Sequence, residues 1–139
     1  MAQTGRLAQR VALITGGGGE IGSAIGRRFA SEGAEVAIAD IVLAKSEATA
    51  RAIVEGGGRA CALQVDVADE ASASAVVASA IKAFGRVTTL VNVAAAVTPD
   101  GTVETLSLDE WNRAIGVNLT GAFLMCKYAV PQMRRSGGG

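Results

Sequence analysis

The sequence has no histidine among its 139 residues, so the commonest general base and the commonest metal ligand are both missing. No metal site is expected. Only 4% of the residues are aromatic while 50% are hydrophobic, so any core must be aliphatic and rich in alanine. Charge of one sign is not in excess: 13 basic residues balance 13 acidic ones. That leaves no electrostatic footprint for nucleic acid or an anionic membrane. No apolar run reaches the roughly 18 residues that span a bilayer. The first ten residues are polar and carry no apolar signal core. The two cysteines, Cys61 and Cys126, have no paired spacing and read as reduced thiols. These absences together suggest a soluble, cytoplasmic protein.

What is present is a regular alternation. Arg10–Thr15 is a short continuous apolar run, as in a strand buried on both faces. Ile21–Glu32 carries apolar residues at helical spacing and closes at Gly33. A second strand, Glu35–Ala39, ends at Asp40, and a helix over 42–55 stops at Gly56-Gly57-Gly58. Arg59–Val65 is a third strand, ending at Asp66. Asp69 caps a helix to about Phe84, which Gly85 terminates. Val87–Val91 is a fourth strand, ending at Asn92, and a loop through Pro99 and Gly101 follows. A long helix then runs from Ser107 to Arg135, with Trp111, Ile115, Leu119, Phe123 and Met125 on its apolar side. Such alternation predicts an α/β fold, a Rossmann-type doubly wound parallel sheet in one domain over residues 1–139.

The turn after the first strand carries the strongest chemical signal. Gly17, Gly19 and Gly22 match the G-x-G-x-x-G spacing between a strand and a helix. Glycine lets the backbone approach a diphosphate, and the helix N-terminus offers free N–H groups and a positive dipole end. Asp40 ends the second strand eighteen positions after Gly22. A carboxylate there accepts from ribose hydroxyls and repels a 2′-phosphate. Ile41 follows it, and no Lys or Arg lies in the glycine turn, so NAD is favoured over NADP. The alternative for Asp40 is a solvated strand end. Asp66 and Asn92 end the third and fourth strands, where such sheets bind ligands, although either residue could equally be a turn or cap.

Together, Thr15–Gly22, Asp40, Asp66-Val67, Leu90–Ala95 and Gly116–Gly121 resemble the N-terminal, cofactor-binding half of the classical short-chain dehydrogenases/reductases. The resemblance covers nearly the whole chain. It implies NAD(P)-dependent hydride transfer between a small-molecule alcohol and a carbonyl, in a homo-oligomer. It places the cofactor against Gly16, Gly18, Gly19, Ile21, Gly22, Asp40, Ile41, Asp66, Val67, Asn92 and Ala94. It also matches Asn118 to a catalytic asparagine, which acts only when the rest of the site is supplied.

Three departures qualify that resemblance. The family turn T-G-x-x-x-G-x-G puts Glu20 where its second glycine belongs. A residue other than glycine is expected to be strained there, with Gly19 relaxing the turn and Glu20 directed to solvent. The family N-N-A-G falls on Asn92-Val93-Ala94-Ala95, so a polar side chain and a glycine are lost. The family serine and Y-x-x-x-K pair are not found, since Tyr128 is followed four positions later by Gln132. Without that proton donor the chain is expected to bind cofactor and not to turn over. The family sheet has about seven strands, so the reading is of a fold truncated after the fourth strand and its long helix. An open edge at Val87–Val91 would then be apolar and prone to pairing. Two other readings stay open: a non-catalytic NAD-binding module, and a structural module that pairs through that edge.

Overall fold

The computed structural model describes residues 5–98 and 100–139. Of the readings above, those on Met1–Thr4 and Pro99 lie outside the described residues. Four strands form one parallel sheet: β1 (Val11–Thr15), β2 (Glu35–Asp40), β3 (Arg59–Gln64) and β4 (Thr89–Asn92). Their order is β3-β2-β1-β4. The chain winds outward from β1 to β3, then crosses back to the other side of β1, which creates a switch point between β1 and β4. β4 is an edge strand, paired only with β1 among the described residues.

Each helix is bounded by the punctuation its sequence carries. α1 (Glu20–Ser31) is closed by Gly33, at φ 91°. α2 (Leu43–Glu55) gives way to Gly57, at φ 85°. The Asp69 carboxylate accepts from Ser72 N at 2.8 Å and caps α3 (Glu70–Phe84), which ends at a left-handed Gly85. α4 (Leu108–Ile115) starts in a capping box between Ser107 and Glu110. Ser107 also lowers the Glu110 pKa, chiefly through its hydroxyl.

The long helix expected from Ser107 to Arg135 is not one uniform α-helix. A π-helical segment, Gly116–Gly121, separates α4 from α5 (Ala122–Arg135). Gly121 lies where an added Cβ would come within 2.7 Å of Val67 Cγ2, so its lack of a side chain lets the helix pass tightly over the β3–α3 loop.

Alternation along the strands divides the core into two. Leu13, Ala37 and Ala39 face α3 and α5, packing with Ala73, Val76, Val77, Leu124 and Met125. Ala12, Ile14, Val36 and Ile38 face the other way, with Ile25 and Phe29 of α1 and Ile53 of α2. Burying side chains of this size contributes about 1.5–3 kcal/mol each for the larger ones. The apolar side expected of the last helix is corrected here. Met125 is buried, but Trp111, Leu119 and Phe123 are 54%, 64% and 61% exposed. The face that enters the core is Leu124, Met125 and Ala129 instead.

Candidate functional site

The parallel register brings the carboxyl ends of the strands to one rim. Thr15 pairs with Ala39 on one side and Asn92 on the other, and Asp40 pairs with Gln64. Every loop leaving the rim therefore starts at nearly the same height. Between them lies a cleft of about 500 Å³, within the range of small-molecule sites. Its position at the switch point is where open α/β sheets bind ligands.

The glycine turn forms one wall. Gly16 has φ 63°, a left-handed conformation, and an added Cβ there would sit 2.7 Å from Ala94 N. At Gly22 an added Cβ would lie 2.2 Å from Gly16 O. Thr15, almost fully buried, accepts through Oγ1 from Val93 N at 3.3 Å and Ala94 N at 3.4 Å. The Thr15 hydroxyl thus ties the start of the turn to the backbone of the loop after β4. At the start of α1 no side chain caps the free N–H groups, because the residue before it is Gly19.

Glu20 is the first residue of α1 and lines the cleft, with its side chain exposed. The strain expected there is absent: among the described residues only Gln9 combines a side chain with positive φ. Nor does Gly19 relax the turn through unusual angles, since its φ is −81°.

Asp40 forms a second wall. Its Oδ2 accepts from Gly18 N at 3.0 Å and its Oδ1 from Val42 N at 3.1 Å, which fixes the carboxylate at the mouth of the turn. Asp66 Oδ1 accepts from Ala68 N at 3.0 Å in a tight turn, and Val67 is buried beneath it. The turn role left open for Asp66 is therefore present, and the residue also lines the cleft.

Of the residues singled out from sequence, Gly16, Gly19, Ile21, Gly22, Asp40, Ile41, Asp66, Val67 and Ala94 line this cleft. Gly18 stands behind it, bonded to Asp40. Asn92 turns toward the α5 face, its Nδ2 donating to Cys126 Sγ at 3.8 Å. Asn118, in the π segment, accepts from Ala96 N at 2.8 Å and donates to Ala96 O at 3.0 Å. Its place is behind the wall formed by Ala94–Ala96, which it braces from outside. We expect Asn118→Ala to release that wall and lower stability by about 1–2 kcal/mol. Hydrogen exchange at the Ala96 amide should accelerate, and an unchanged rate would contradict the bracing role.

Two cationic residues of the cleft were not singled out, Lys45 and Arg113. Lys45 stands in the first turn of α2, so close to Gly18 that a Cβ added to that glycine would meet Lys45 Cβ at 2.3 Å. Arg113 donates to Val97 O at 3.0 Å and holds the first part of the loop after β4. Spacing of lysine five residues past a strand-ending aspartate was the only available signal for the first.

Tyr128 does not complete a proton relay with its neighbour Lys127. Its hydroxyl donates to Glu70 Oε1 at 2.8 Å, and Lys127 Nζ is 2.6 Å from the same oxygen. That shared bond to Glu70 raises the Tyr128 pKa, the opposite of what a proton donor to an alkoxide needs. Lys127 is raised and Glu70 lowered chiefly by their mutual hydrogen bond. No cluster able to hold a metal occurs among the described residues. Among them, too, no helix is long and apolar enough to cross a membrane.

The family model described as short chain dehydrogenase matches residues 10–139. A 2,5-dichloro-2,5-cyclohexadiene-1,4-diol dehydrogenase of Sphingobium indicum is 42% identical over 134 residues, covering 96% of this chain and 53% of that protein. A D-threitol dehydrogenase of Mycolicibacterium smegmatis is 38% identical, over 96% of this chain and 51% of its own length. The crystal structure of a hydroxysteroid dehydrogenase from Escherichia coli superposes with a TM-score of 0.91 at 33% identity, covering 96% of this chain and 56% of that one. The chain spans about half the length of the curated relatives it matches. With the family model extending over nearly all of its residues, the chain belongs to the short-chain dehydrogenase family.

Proposed function

We propose that residues 10–139 form the NAD-binding half of an oxidoreductase that interconverts an alcohol and a carbonyl on a small molecule. The observation that carries this is the pairing, on one cleft, of the uncapped N-terminus of α1 with the fixed carboxylate of Asp40. Free helix N–H groups suit a pyrophosphate, and a strand-ending carboxylate suits ribose hydroxyls. Close backbone packing at Gly16 and Gly22, where a Cβ would collide with main chain, is the cradle such a ligand needs.

Bound NAD would supply the hydride acceptor, and its reduced form the donor. The chain's own residues would do the binding. Gly16, Gly19 and Gly22 would admit the phosphates. Asp40 would hold the ribose, with Ile41 beside it, and Asp66 and Val67 would flank the base. Ala94–Ala96, braced by Asn118, would form the wall toward the reacting end. Proton transfer needs a donor of matched pKa, which Tyr128 does not provide. Asn118, matched to the family's catalytic asparagine, would act here as a positioning residue, through the support it gives that wall. Relatives named as dehydrogenases of a cyclohexadienediol and of D-threitol support a small-molecule alcohol as the substrate class. Calorimetric titration tests the reading: saturable heat with NAD is expected, and no heat with either NAD or NADH would contradict it.

Self-association belongs to the same proposal. Trp111, Leu119 and Phe123 form an exposed apolar stripe along α4 and the start of α5. Stripes of this kind commonly mark interfaces. Phe123→Asp is expected to shift the protein to a smaller species in light scattering, and an unchanged mass would place the interface elsewhere. The two unpaired thiols, Cys61 and Cys126, fit a reducing compartment, and the cytoplasm is the proposed location.

A further inference from the structure

We infer that Glu20 sets the affinity of the cleft for phosphate-bearing ligands, by holding a negative charge at the helix end that the pyrophosphate would use. The inference rests on the dinucleotide reading above and concerns a position where this chain departs from its family's glycine.

Three observations support it. Glu20 is the first residue of α1, so its charge lies at the positive end of the helix dipole. It lines the same cleft as Gly16, Gly19, Gly22 and Asp40. Among the described residues, its carboxylate takes part in no hydrogen bond with a side chain or backbone donor and in no ion pair. The cationic residues of the cleft are Lys45 and Arg113, and neither lies within ion-pair distance of Glu20. Arg113 is held at Val97 O.

A carboxylate in that position is stabilised by the helix end in the absence of ligand and opposes an arriving diphosphate. Both effects penalise phosphate and neither touches a nucleoside. Side-chain exposure leaves the carboxylate free to swing aside, so the site is weakened rather than closed. The cleft then ranks ligands by the charge they bring to the start of α1: adenosine is unaffected, while ADP and NAD bind less tightly than the backbone alone would allow.

The test compares the wild-type chain with Glu20→Gln, which keeps the shape, and Glu20→Gly, which restores the family residue. Adenosine, ADP and NAD are titrated against all three proteins, with circular dichroism confirming equal helix content. Glu20→Gln is expected to tighten ADP and NAD by about tenfold at low salt, from loss of the dipole competition and of the charge repulsion. Adenosine should stay within about twofold, and the gain should shrink at high ionic strength. Unchanged NAD affinity in both variants, or equal tightening of adenosine, would overturn the role of Glu20 while leaving the dinucleotide site standing. Failure of every ligand on all three proteins would instead remove the dinucleotide reading, and this inference with it.

Discussion

Gly22→Ala is expected to cost about 3 kcal/mol of stability and to reduce NAD affinity more than tenfold. The added Cβ would lie 2.2 Å from Gly16 O and 2.8 Å from both Gly16 C and Gly17 Cα. All three are backbone atoms of the turn itself, so no side chain can swing away to make room. Relief requires the turn to open, and the turn is tied to Ala39 O through Gly17 N and to Ala94 through Thr15. Movement there spreads into both neighbouring strands. Gly19→Ala is the control. Its Cβ would meet only Gly16 O, at 3.4 Å, and its φ of −81° suits alanine. Stability should change by less than about 0.5 kcal/mol. The residue lines the cleft, so NAD affinity should still fall. Denaturant unfolding with NAD titration separates the pair. A Gly22→Ala protein as stable as wild type would show that the turn is looser than its contacts indicate.

Asp40→Ala is expected to lower NAD affinity about ten- to a hundredfold, the worth of a hydrogen bond to a charged group. NADP affinity should hold or rise, so the ratio of the two shifts by at least about tenfold. Two effects act in the same direction. The carboxylate loses its role as ribose acceptor, and its repulsion of a 2′-phosphate disappears. Lys45, on the same cleft and beside Gly18, would then offer that phosphate a cation no longer opposed by Asp40. The substitution also removes the acceptor for Gly18 N and Val42 N, at about 1–3 kcal/mol for each group left unsatisfied. Asp40→Asn removes the charge but keeps one acceptor oxygen, so one of the two backbone N–H groups stays bonded while the other faces the amide NH2. It should move the affinity ratio the same way with a smaller loss of stability. A ratio unchanged in both variants would remove Asp40 from cofactor selection.

Much of the framework was legible because the chain punctuates itself. Gly33, Gly57 and Gly85 all adopt positive φ, and each follows a helix where the sequence placed its end. Asp69 caps its helix as its position suggested. Four apolar runs separated by helices pointed to a parallel sheet, and its order, β3-β2-β1-β4, came from the structure. Periodicity was less informative for the last helix. Trp111, Ile115, Leu119 and Phe123 recur every four residues, which shows that they share a face but not what covers it. The π segment shifts the register after Ile115, and the core is reached by Leu124, Met125 and Ala129. No linear signal marked that change beyond the paired Gly116 and Gly121.

The site was legible in outline and incomplete in detail. Motif glycines and the strand-ending Asp40 lie on one cleft because parallel strands bring their ends to one rim. Asn92 fell outside it, since alternation sends its side chain to the same face as Leu90. Lys45 and Arg113 entered it through helix starts and loop crossings that spacing does not encode. Glu20 was visible as a departure, but its unstrained backbone became evident only once α1 was seen to begin at that residue.

Residue-resolved titration of the isotope-labelled chain with NAD, followed by amide chemical shifts, decides whether this cleft takes up the dinucleotide. Saturable shifts are expected at Gly16–Gly22, Asp40 and Ile41, Asp66 and Val67, and Ala94–Ala96. Saturable shifts confined elsewhere, for example around the smaller cavity at Arg27 and Gly56–Gly58, or no saturable shifts at all, would contradict dinucleotide binding in this cleft.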